Sequence, residues 1–474
     1  MSMQDQTLRS IELTYDEIEA EQLVIDSIAN ATLPSSSTKR IQKVPEMLIK
    51  ETDDYKKYYV PKVVSIGPYH FGDKKLEFVE KLKPVFTMRL LSNNKETLRS
   101  LYKTLGEPQM VQELRSLYDE NLIAKFCNKD FTKMMLLDSC FILYCVRFIF
   151  FRDSDDCEDL NIHQIVYLHQ DLFLLENQIP FKVLIEVMKF VNPDSWADKF
   201  KSFISGNILA SQKLKRTWLE KIPCIGNNQS SRGENKLESS NVPDHLLHLL
   251  HRTLTNDEKL PKNDHLKSED DSRCTFRNVN ELMDVGIHFK PSGTMSLAHI
   301  KFLQGWFWFT ADVELPPISI DDSTKPMLLN LIAYEMCSRD AHAAWVTSYI
   351  CLLDSLIDHP EDVKALRKAG VLENSLGSDK EVAKLFNEIG TGLVPNNLAY
   401  LEAKYHMQKH YKSRRNSLIS ELKHEYVKSP WAFFALLGAL IALFLSAVQS
   451  YYTVWSPEGE CDELCKLLKK NHHL

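Results

Sequence analysis

The longest apolar pattern in the chain runs from Trp431 to Trp455 and contains no charged residue. At about 1.5 Å per helical residue, roughly 20 apolar residues cross the hydrocarbon layer of a bilayer. Aromatic residues gather at both ends of the run, as they do where transmembrane helices meet lipid headgroups. A buried helix of a soluble core is the alternative, but such a helix normally keeps a polar stripe. The pattern therefore predicts one transmembrane helix whose partner is the lipid bilayer.

The two flanks of this run carry charges of opposite sign. Residues 401–430 are rich in Lys and Arg, whereas acidic residues follow the run, namely Glu458, Glu460, Asp462 and Glu463. Basic flanks stay on the cytoplasmic side, and the N-terminus lacks the basic and apolar regions of a secretory signal. We therefore expect a single-pass protein with a cytosolic N-terminal domain, in the plasma membrane or an endomembrane. The basic segment can contact anionic lipid or form a solvated helix, and both interpretations stay open.

Most of the remaining chain has the apolar spacing of amphipathic helices, beginning with residues 14–29. A second apolar run, Met134 to Phe151, contains Asp138 and Arg147, each of which costs about 2.5–3.5 kcal/mol near a bilayer centre. We therefore interpret this run as the central buried helix of the soluble domain.

Strand character is found in residues 63–66, at the end of residues 277–290, where a helix passes into a strand, and in two runs around Gly305. The predicted fold class is mainly α with a small β element, a helical soluble domain followed by one C-terminal transmembrane helix. Two apolar helices are predicted within residues 160–190, one ending near Asn177 and the next starting near Pro180, because proline suits only the first turn of a helix.

A polar stretch between residues 223 and 273 interrupts the domain and predicts a flexible insertion around one short helix. The chain is accordingly divided into seven predicted parts. They are an N-terminal helix and linker (1–40), a first helical part of the soluble domain (41–222), the flexible insertion (223–273), a second part of the domain (274–400), a basic juxtamembrane segment (401–430), the transmembrane helix (431–455) and a short tail (456–474).

Charge and cysteine usage narrow the class of protein further. The net charge is −7, and the basic residues are interleaved with acidic ones outside the juxtamembrane segment, so no nucleic acid partner is expected. The ten cysteines include several within apolar helical runs, such as Cys140, Cys145 and Cys337, which is typical of buried, reduced thiols.

No phosphate-binding loop, nucleophile elbow or zinc-protease motif occurs in the sequence, and no cofactor or metal is predicted. His245, His248 and His251 recur at every third position, a spacing that can hold a metal, but solvated histidines on a loop helix are the favoured interpretation. The C-terminal group, Cys461, Cys465, His472 and His473, matches no common zinc site, and a disulfide is the simpler expectation.

Glu176 stands among Leu174, Leu175 and Ile179, an apolar setting that can raise a carboxyl pKa as a general acid requires. His163 and His169 lie upstream in the same run. The favoured alternative is structural. The polar groups of residues 176–178 can bind backbone groups that the break before Pro180 leaves free.

Four blocks in order, residues 60–72, 171–184, 328–337 and 348–389, closely resemble the plant family called domain of unknown function 247. The resemblance implies a plant protein with a C-terminal membrane helix and no established catalytic residue. Some members are linked to self-incompatibility between pollen and stigma, which fits a recognition role. The resemblance marks family-motif residues, to which we assign structural roles: Ser65, Gly67, Pro68, Tyr69, His70, Glu176, Asn177, Gln178 and Pro180.

We therefore expect a membrane-anchored plant protein that acts by protein interaction, signalling or recognition, with another protein as partner and without catalysis. The alternative is a membrane-tethered hydrolase that uses acidic and histidine groups brought together by folding. The two hypotheses differ in what should surround Glu176, His163 and His169. An open polar pocket with a second titratable group favours the enzyme, whereas a closed apolar core favours the interaction protein.

Overall fold

The structure is a computed structural model. It describes residues 41–49, 52–150, 159–191, 196–207, 242–256, 277–306, 309–337, 344–413, 430–455 and 466–470. The helix predicted over residues 14–29, most of the polar insertion and Cys461, Cys465, His472 and His473 lie outside these residues.

The first part of the described chain is entirely helical apart from its connections. Its helices are α1 (Thr52–Tyr58), α2 (Glu77–Leu90), α3 (Lys95–Leu105), α4 (Pro108–Ser116), α5 (Glu120–Ile123), α6 (Asn128–Tyr144), α7 (Ile162–Asp171), α8 (Phe181–Met188) and α9 (Trp196–Asn207). Side-chain caps define several of their starts. Asn94 accepts from two backbone N–H groups of α3, and Asn161 forms a capping box with Gln164 on α7.

Helix α6 is the central helix of this part, as its apolar pattern predicts. Its side chains are buried around most of its circumference, and it continues as a π-helical turn over Cys145–Ile149. Helices α2, α3 and α8 pack against it. The ring of Phe86 on α2 stacks on Tyr144 with a centroid distance of 4.6 Å. A helix that is apolar on every side requires neighbours on every side, which explains its place at the centre.

The strand predicted over residues 63–66 is wrong. This segment is largely buried and irregular, with a bend at Val63, and it pairs with no strand among the described residues. Its β-branched residues raise the propensity for a strand without supplying a partner strand. Its backbone N–H groups donate instead to the side chains of Asp171 and Asn177.

The helix predicted to end near Asn177 stops earlier, at Asp171, and the next helix begins after Pro180, as expected. Residues 172–180 form an irregular connection that is almost fully buried.

The second part of the described chain combines helices with two small sheets. Its elements are α10 (Leu246–Thr255), α11 (Val279–Asp284), β1 (Ile287–Pro291), β2 (Lys301–Gln304), β3 (Ala311–Leu315), β4 (Ile318–Ile320), α12 (Thr324–Cys337), α13 (Trp345–Leu356), α14 (Pro360–Lys368), β5 (Leu372–Asn374), α15 (Asp379–Gly390) and α16 (Leu401–Tyr411).

Strands β2, β3 and β4 lie within residues 299–320, where β-prone runs were predicted around Gly305, whereas β5 falls in a segment for which no strand was predicted. Strand β3 occupies the middle of a three-stranded sheet, parallel to β1 and antiparallel to β2. Strands β4 and β5 form a separate parallel pair. Buried side chains from Ile41 to Met407 form one hydrophobic cluster, so both parts of the chain share a core.

Helix α10 corrects the expectation for residues 245–255. Because the surrounding residues are polar, this helix was expected to belong to a flexible insertion and to expose its histidines to solvent. In the structure the helix packs against α12 and α13 and buries Leu246, Leu247 and Leu250. Its spacing of leucines provides an apolar face that can be buried whatever the composition of its neighbours.

A last helix, α17, spans Pro430–Val454. Its segment Leu437–Val454 is long and apolar enough to cross a membrane by length and composition, and none of that segment is buried against the described chain. This agrees with the apolar run that the sequence places at residues 431–455.

The burial of α10 generates a prediction. We expect Leu250→Ala to lower the free energy of unfolding by about 2–5 kcal/mol, because the side chain is fully buried and its removal leaves a cavity. Chemical denaturation of the purified protein in detergent measures the loss. Leu398→Ala, at a side chain that is 43% exposed, is the control and should cost much less. Equal, small losses at the two positions would mean that α10 lies outside the core.

Candidate functional site

The family-motif residues converge where segment 62–70 meets the connection 171–180. Asp171, the last residue of α7, points its carboxylate at three consecutive backbone N–H groups. The N–H groups of Lys62, Val63 and Val64 donate to it over 2.6–3.0 Å. Burial raises the pKa of Asp171 to about 7, and the same N–H donors oppose this rise. The backbone curves around the carboxylate, which satisfies three N–H groups that no strand pairs among the described residues.

Asn177 continues this pairing along the same segment. Its Oδ1 accepts from the N–H of Ile66 at 2.7 Å, and its Nδ2 donates to the carbonyl of Val64 at 3.1 Å. Nδ2 also donates at 2.9 Å to the carbonyl of Asp171, at the end of α7. An amide side chain offers one donor and one acceptor side by side, as a peptide group does. Asn177 therefore forms hydrogen bonds with backbone groups of segment 62–70 and with the carbonyl at the end of α7.

Gly67 follows at the bend of the segment, with φ of +75°. Its N–H donates to Oδ2 of Asp138 on α6 at 2.7 Å. A Cβ atom at this position would lie 2.5 Å from the carbonyl oxygen of Gln178. Both the positive φ and the close backbone contact require glycine. The buried Pro68 follows immediately.

A buried ion pair between Lys83 and Asp138 contacts the backbone at the bend around Gly67. Nζ of Lys83, on α2, donates to Oδ1 of Asp138 at 2.6 Å and to the carbonyl of Ser65 at 2.5 Å. Glu80 is a further partner of the ammonium group. Burial raises the pKa of Asp138, whereas Lys83 and the N–H of Gly67 lower it. Two buried charges are compatible with folding here because each is paired and hydrogen-bonded.

Glu176 does not bind the helix break, which corrects part of the structural hypothesis. Its Oε1 accepts from the N–H of Val44 at 2.9 Å, and its Oε2 accepts from the hydroxyl of Tyr55 at 2.6 Å. His70 approaches Oε2 to 3.7 Å. Glu176 therefore ties the segment before α1 to the motif.

Gln178 fulfils the role predicted at the break. Its Nε2 donates at 2.8 Å to the carbonyls of both Leu172 and Leu174, and its Oε1 accepts from the N–H of Leu247 on α10. Pro180 precedes the first turn of α8, as expected.

The arrangement around Glu176 resembles an acid–base pair but is closed. Burial lowers the pKa of His70, and the Nε2 atom of His70 has no hydrogen-bond partner among the described residues. Residues 41–49 run across this region, where the hydroxyl of Tyr69 donates to the carbonyl of Ile41 at 3.1 Å and Val44 contacts Glu176. The carboxylate of Glu176 therefore accepts hydrogen bonds from a backbone N–H and a tyrosine hydroxyl rather than facing an open pocket.

The two histidines upstream of Glu176 lie away from it. His163 is exposed on α7. His169 packs among the rings of Phe150, Phe173 and Phe203, with centroid distances of 5.1–5.9 Å. A shallow cavity beside His169 is lined mainly by Phe173, Leu174 and Met327. The structure therefore does not bring His163 or His169 together with Glu176.

The three histidines of α10 also have separate partners. Nε2 of His251 lies 2.8 Å from Oε1 of Glu335, and His248 lies 3.3 Å from Asp244. His245 caps the start of α10 by accepting from the N–H of His248. Within the described residues no group of three or more histidine, cysteine or acidic side chains is arranged to hold a metal ion.

Glu335 and Asn330 on α12 are buried polar side chains whose contacts the sequence did not predict. Oε1 and Oε2 of Glu335 accept from the N–H groups of Val346 and Thr347 at 2.9 and 2.8 Å, at the start of α13. Asn330 Oδ1 accepts from the N–H of Leu175, and Asn330 Nδ2 donates to the carbonyl of Tyr58. Isolated polar residues within an otherwise apolar helix were the available signal for both.

The chain matches the model of a family described as plant protein of unknown function over residues 41–445. It belongs to this plant family. Among curated proteins it is similar to UPF0481 protein At3g47200 of Arabidopsis thaliana, 26% identical over 442 residues, covering 88% of this chain and 86% of the relative. Putative UPF0481 protein At3g02645 of the same plant is 24% identical over 494 residues, covering 88% and 91%. No solved structure matches.

Membership of this plant family agrees with the resemblance carried by the four sequence blocks. Two of those blocks, residues 60–72 and 171–184, contain the residues that meet at the crossing. The family description names no activity, and the structural roles assigned to the motif residues stay predictions.

The motif generates a prediction at Gly67. We expect Gly67→Ala to destabilise the protein by about 2–4 kcal/mol, because it combines a left-handed backbone with a clash against the Gln178 carbonyl. Gly72→Ala is a matched control, since Gly72 has φ of +84° but no atom within 4 Å of the added Cβ. Its cost should be about 1–2 kcal/mol, from the backbone alone. Equal losses in chemical denaturation would exclude the close contact as a cause.

A second prediction concerns pH. Burial lowers the pKa of His169 to about 4, so between pH 6.5 and 4 the unfolded chain binds more protons than the folded one. Stability is therefore lost as pH falls through this window. We expect His169→Phe, in its aromatic surroundings, to remove about 2–3 kcal/mol of that loss, measured by denaturation at pH 7, 5 and 4. His163→Phe, on the exposed face of the same helix, should leave the pH profile unchanged. A parallel profile for the wild type and His169→Phe would contradict the prediction.

Proposed function

We propose that this protein is anchored in a membrane by α17 and acts through protein interaction, with its helical domain in the cytosol. The observation that carries the proposal is α17 itself. At about 1.5 Å per residue, its 25 residues extend over about 37 Å, enough to cross a hydrocarbon layer of about 30 Å. Its side chains from Leu437 to Val454 are not covered by the described chain. Such a surface requires an apolar environment.

The charge distribution supports the orientation. Helix α16 and the residues after it carry several basic side chains before α17 begins, including Lys404, Lys409, Lys412, Arg414 and Arg415. Acidic residues follow Trp455. Because positive flanks are retained on the cytoplasmic side, the domain that precedes α17 is proposed to be cytosolic.

An exposed apolar face on α7 supports a role in binding another protein. Ile162 and Val166 are 60% and 52% exposed and lie one turn apart on the same side of the helix, and Tyr167, which is 42% exposed, follows Val166 in the chain. Clustered apolar side chains on a soluble surface are typical of interaction sites. By contrast, the carboxylate of Glu176, on which an enzymatic role would depend, accepts hydrogen bonds from the N–H of Val44 and from the hydroxyl of Tyr55.

Deleting residues 431–455 is expected to release the protein into the soluble fraction after carbonate washing of membranes, because this segment supplies the bilayer-crossing surface. Replacing the same residues by an unrelated polyleucine span is the matched control and should restore retention. Retention of the deleted protein in washed membranes would refute α17 as the anchor.

The topology is tested in sealed microsomes that contain the full chain with an N-terminal epitope. We expect protease to remove the epitope, and the sequons at Asn30 and Asn228 to remain unmodified, because a cytosolic domain never meets the glycosylation machinery. A protected epitope together with a glycosidase-sensitive shift would instead place the domain in the lumen.

A further inference from the structure

Helix α17 carries one side-chain amide between Leu437 and Val454, that of Gln449. Gln449 lies about 10 Å along the axis from the middle of the helix, within a hydrocarbon layer whose half-thickness is about 15 Å. The hydroxyl of Thr453 donates to the backbone carbonyl of Gln449 at 2.7 Å, whereas the amide of Gln449 forms no hydrogen bond with any residue that the structure describes. An amide in an apolar medium is costly without a hydrogen-bond partner, so Gln449 requires one from outside this chain.

The small side chains of α17 lie on the side of the helix that carries Gln449. Between Leu437 and Val454, every residue within about a third of the helix circumference is Gly, Ala, Ser, Thr or Gln. The rest of the circumference carries Leu, Ile, Phe, Val and Tyr, and Ala447 is the one small residue in that part of the segment. We call the first side the small face. Besides Gln449 it consists of Gly438, Ala439, Ala442, Ser446, Ser450 and Thr453.

The small face has the two properties that bring helices together in lipid. Large apolar side chains pack as well against acyl chains as against another helix, so they do not drive association. Small side chains let two helix backbones approach closely, and polar side chains then form hydrogen bonds across the contact. No part of the described chain buries the segment Leu437–Val454, so the small face is open to a second helix.

A second copy of α17 matches the small face in depth and in chemistry. Two copies of a single-pass chain cross the membrane in the same direction, so their Gln449 amides lie at the same depth. A side-chain amide offers both N–H donors and a carbonyl acceptor, so two such amides can each donate to the other. A twofold-symmetric contact brings the same surface of both chains together, which is the arrangement that this pairing requires.

We propose that two copies of this chain associate in the membrane through the small faces of their α17 helices, with the two Gln449 amides hydrogen-bonded to each other. The helical domains of the two copies are then held side by side on one surface of the bilayer. This inference rests on the proposed anchoring function.

The experiment uses the full chain, labelled at its N-terminus with a donor or an acceptor fluorophore and reconstituted into phosphatidylcholine vesicles. Energy transfer measured over a range of protein-to-lipid ratios gives the association constant. Ala442→Leu places a large side chain on the small face and should lower this constant about tenfold, because the two backbones can no longer approach closely. Ala447→Leu adds the same side chain outside the small face and is the matched control, with an expected change below about twofold.

A second pair of variants tests the hydrogen bond between the amides. Gln449→Leu removes the amide and should lower the association constant about tenfold, whereas Gln449→Asn keeps an amide at the same depth and should retain most of the association. Unchanged association of Gln449→Leu would mean that this amide is satisfied elsewhere, for example by lipid headgroups, and would overturn the proposal.

Three further results would overturn the pairing of the small faces. They are a wild-type chain that stays monomeric in the vesicles, equal losses for Ala442→Leu and Ala447→Leu, and association that no variant weakens, which would place the contact in the helical domain. A chain that resists carbonate extraction but gives one of these results refutes the pairing alone. A chain that carbonate extracts from membranes refutes the anchor and, with it, the pairing.

Discussion

Residues 64–67 are buried and pair with no strand among the described residues, and a buried backbone N–H group without a partner costs about 1–3 kcal/mol. From Lys62 to Gly67, five N–H groups are satisfied by the side chains of Asp171, Asn177 and Asp138. These acceptors come from the end of α7, the connection after it and the centre of α6. The segment therefore joins those three parts of the chain through its own backbone.

Helices with a clear apolar period could be predicted from the sequence, as the central helix α6 and the start of α8 after Pro180 show. The strand assigned to residues 63–66 failed because a β-branched run raises strand propensity without specifying a partner strand. Asp171 could not be recognised, since backbone N–H groups carry no signature in the sequence. Lys83 resembled an ordinary solvated lysine in the charged helix α2, and only the fold places it beside Asp138.

At the candidate site, the sequence led us to expect that the polar groups of residues 176–178 bind backbone groups at the helix break, and the amides of Asn177 and Gln178 bind carbonyls there. It could not foresee that Glu176 bonds to Val44, because these residues are far apart in the chain and nothing local records the contact. Helix α10 was misjudged for a related reason. The polar composition of residues 223–273 is an average over the whole stretch, whereas the burial of α10 depends only on the leucines along one face of that helix.

Hydrogen bonds from Asn330 have a consequence for the order of synthesis. They join Leu175 to Tyr58 across most of the domain's first part, so that part is completed by a residue translated long after it. These two hydrogen bonds can therefore form only after α12 has been synthesised. Because α17 follows all of these residues in the chain, the domain can become fully packed before its apolar helix emerges, which limits the time that this helix spends in water beside an unfolded partner.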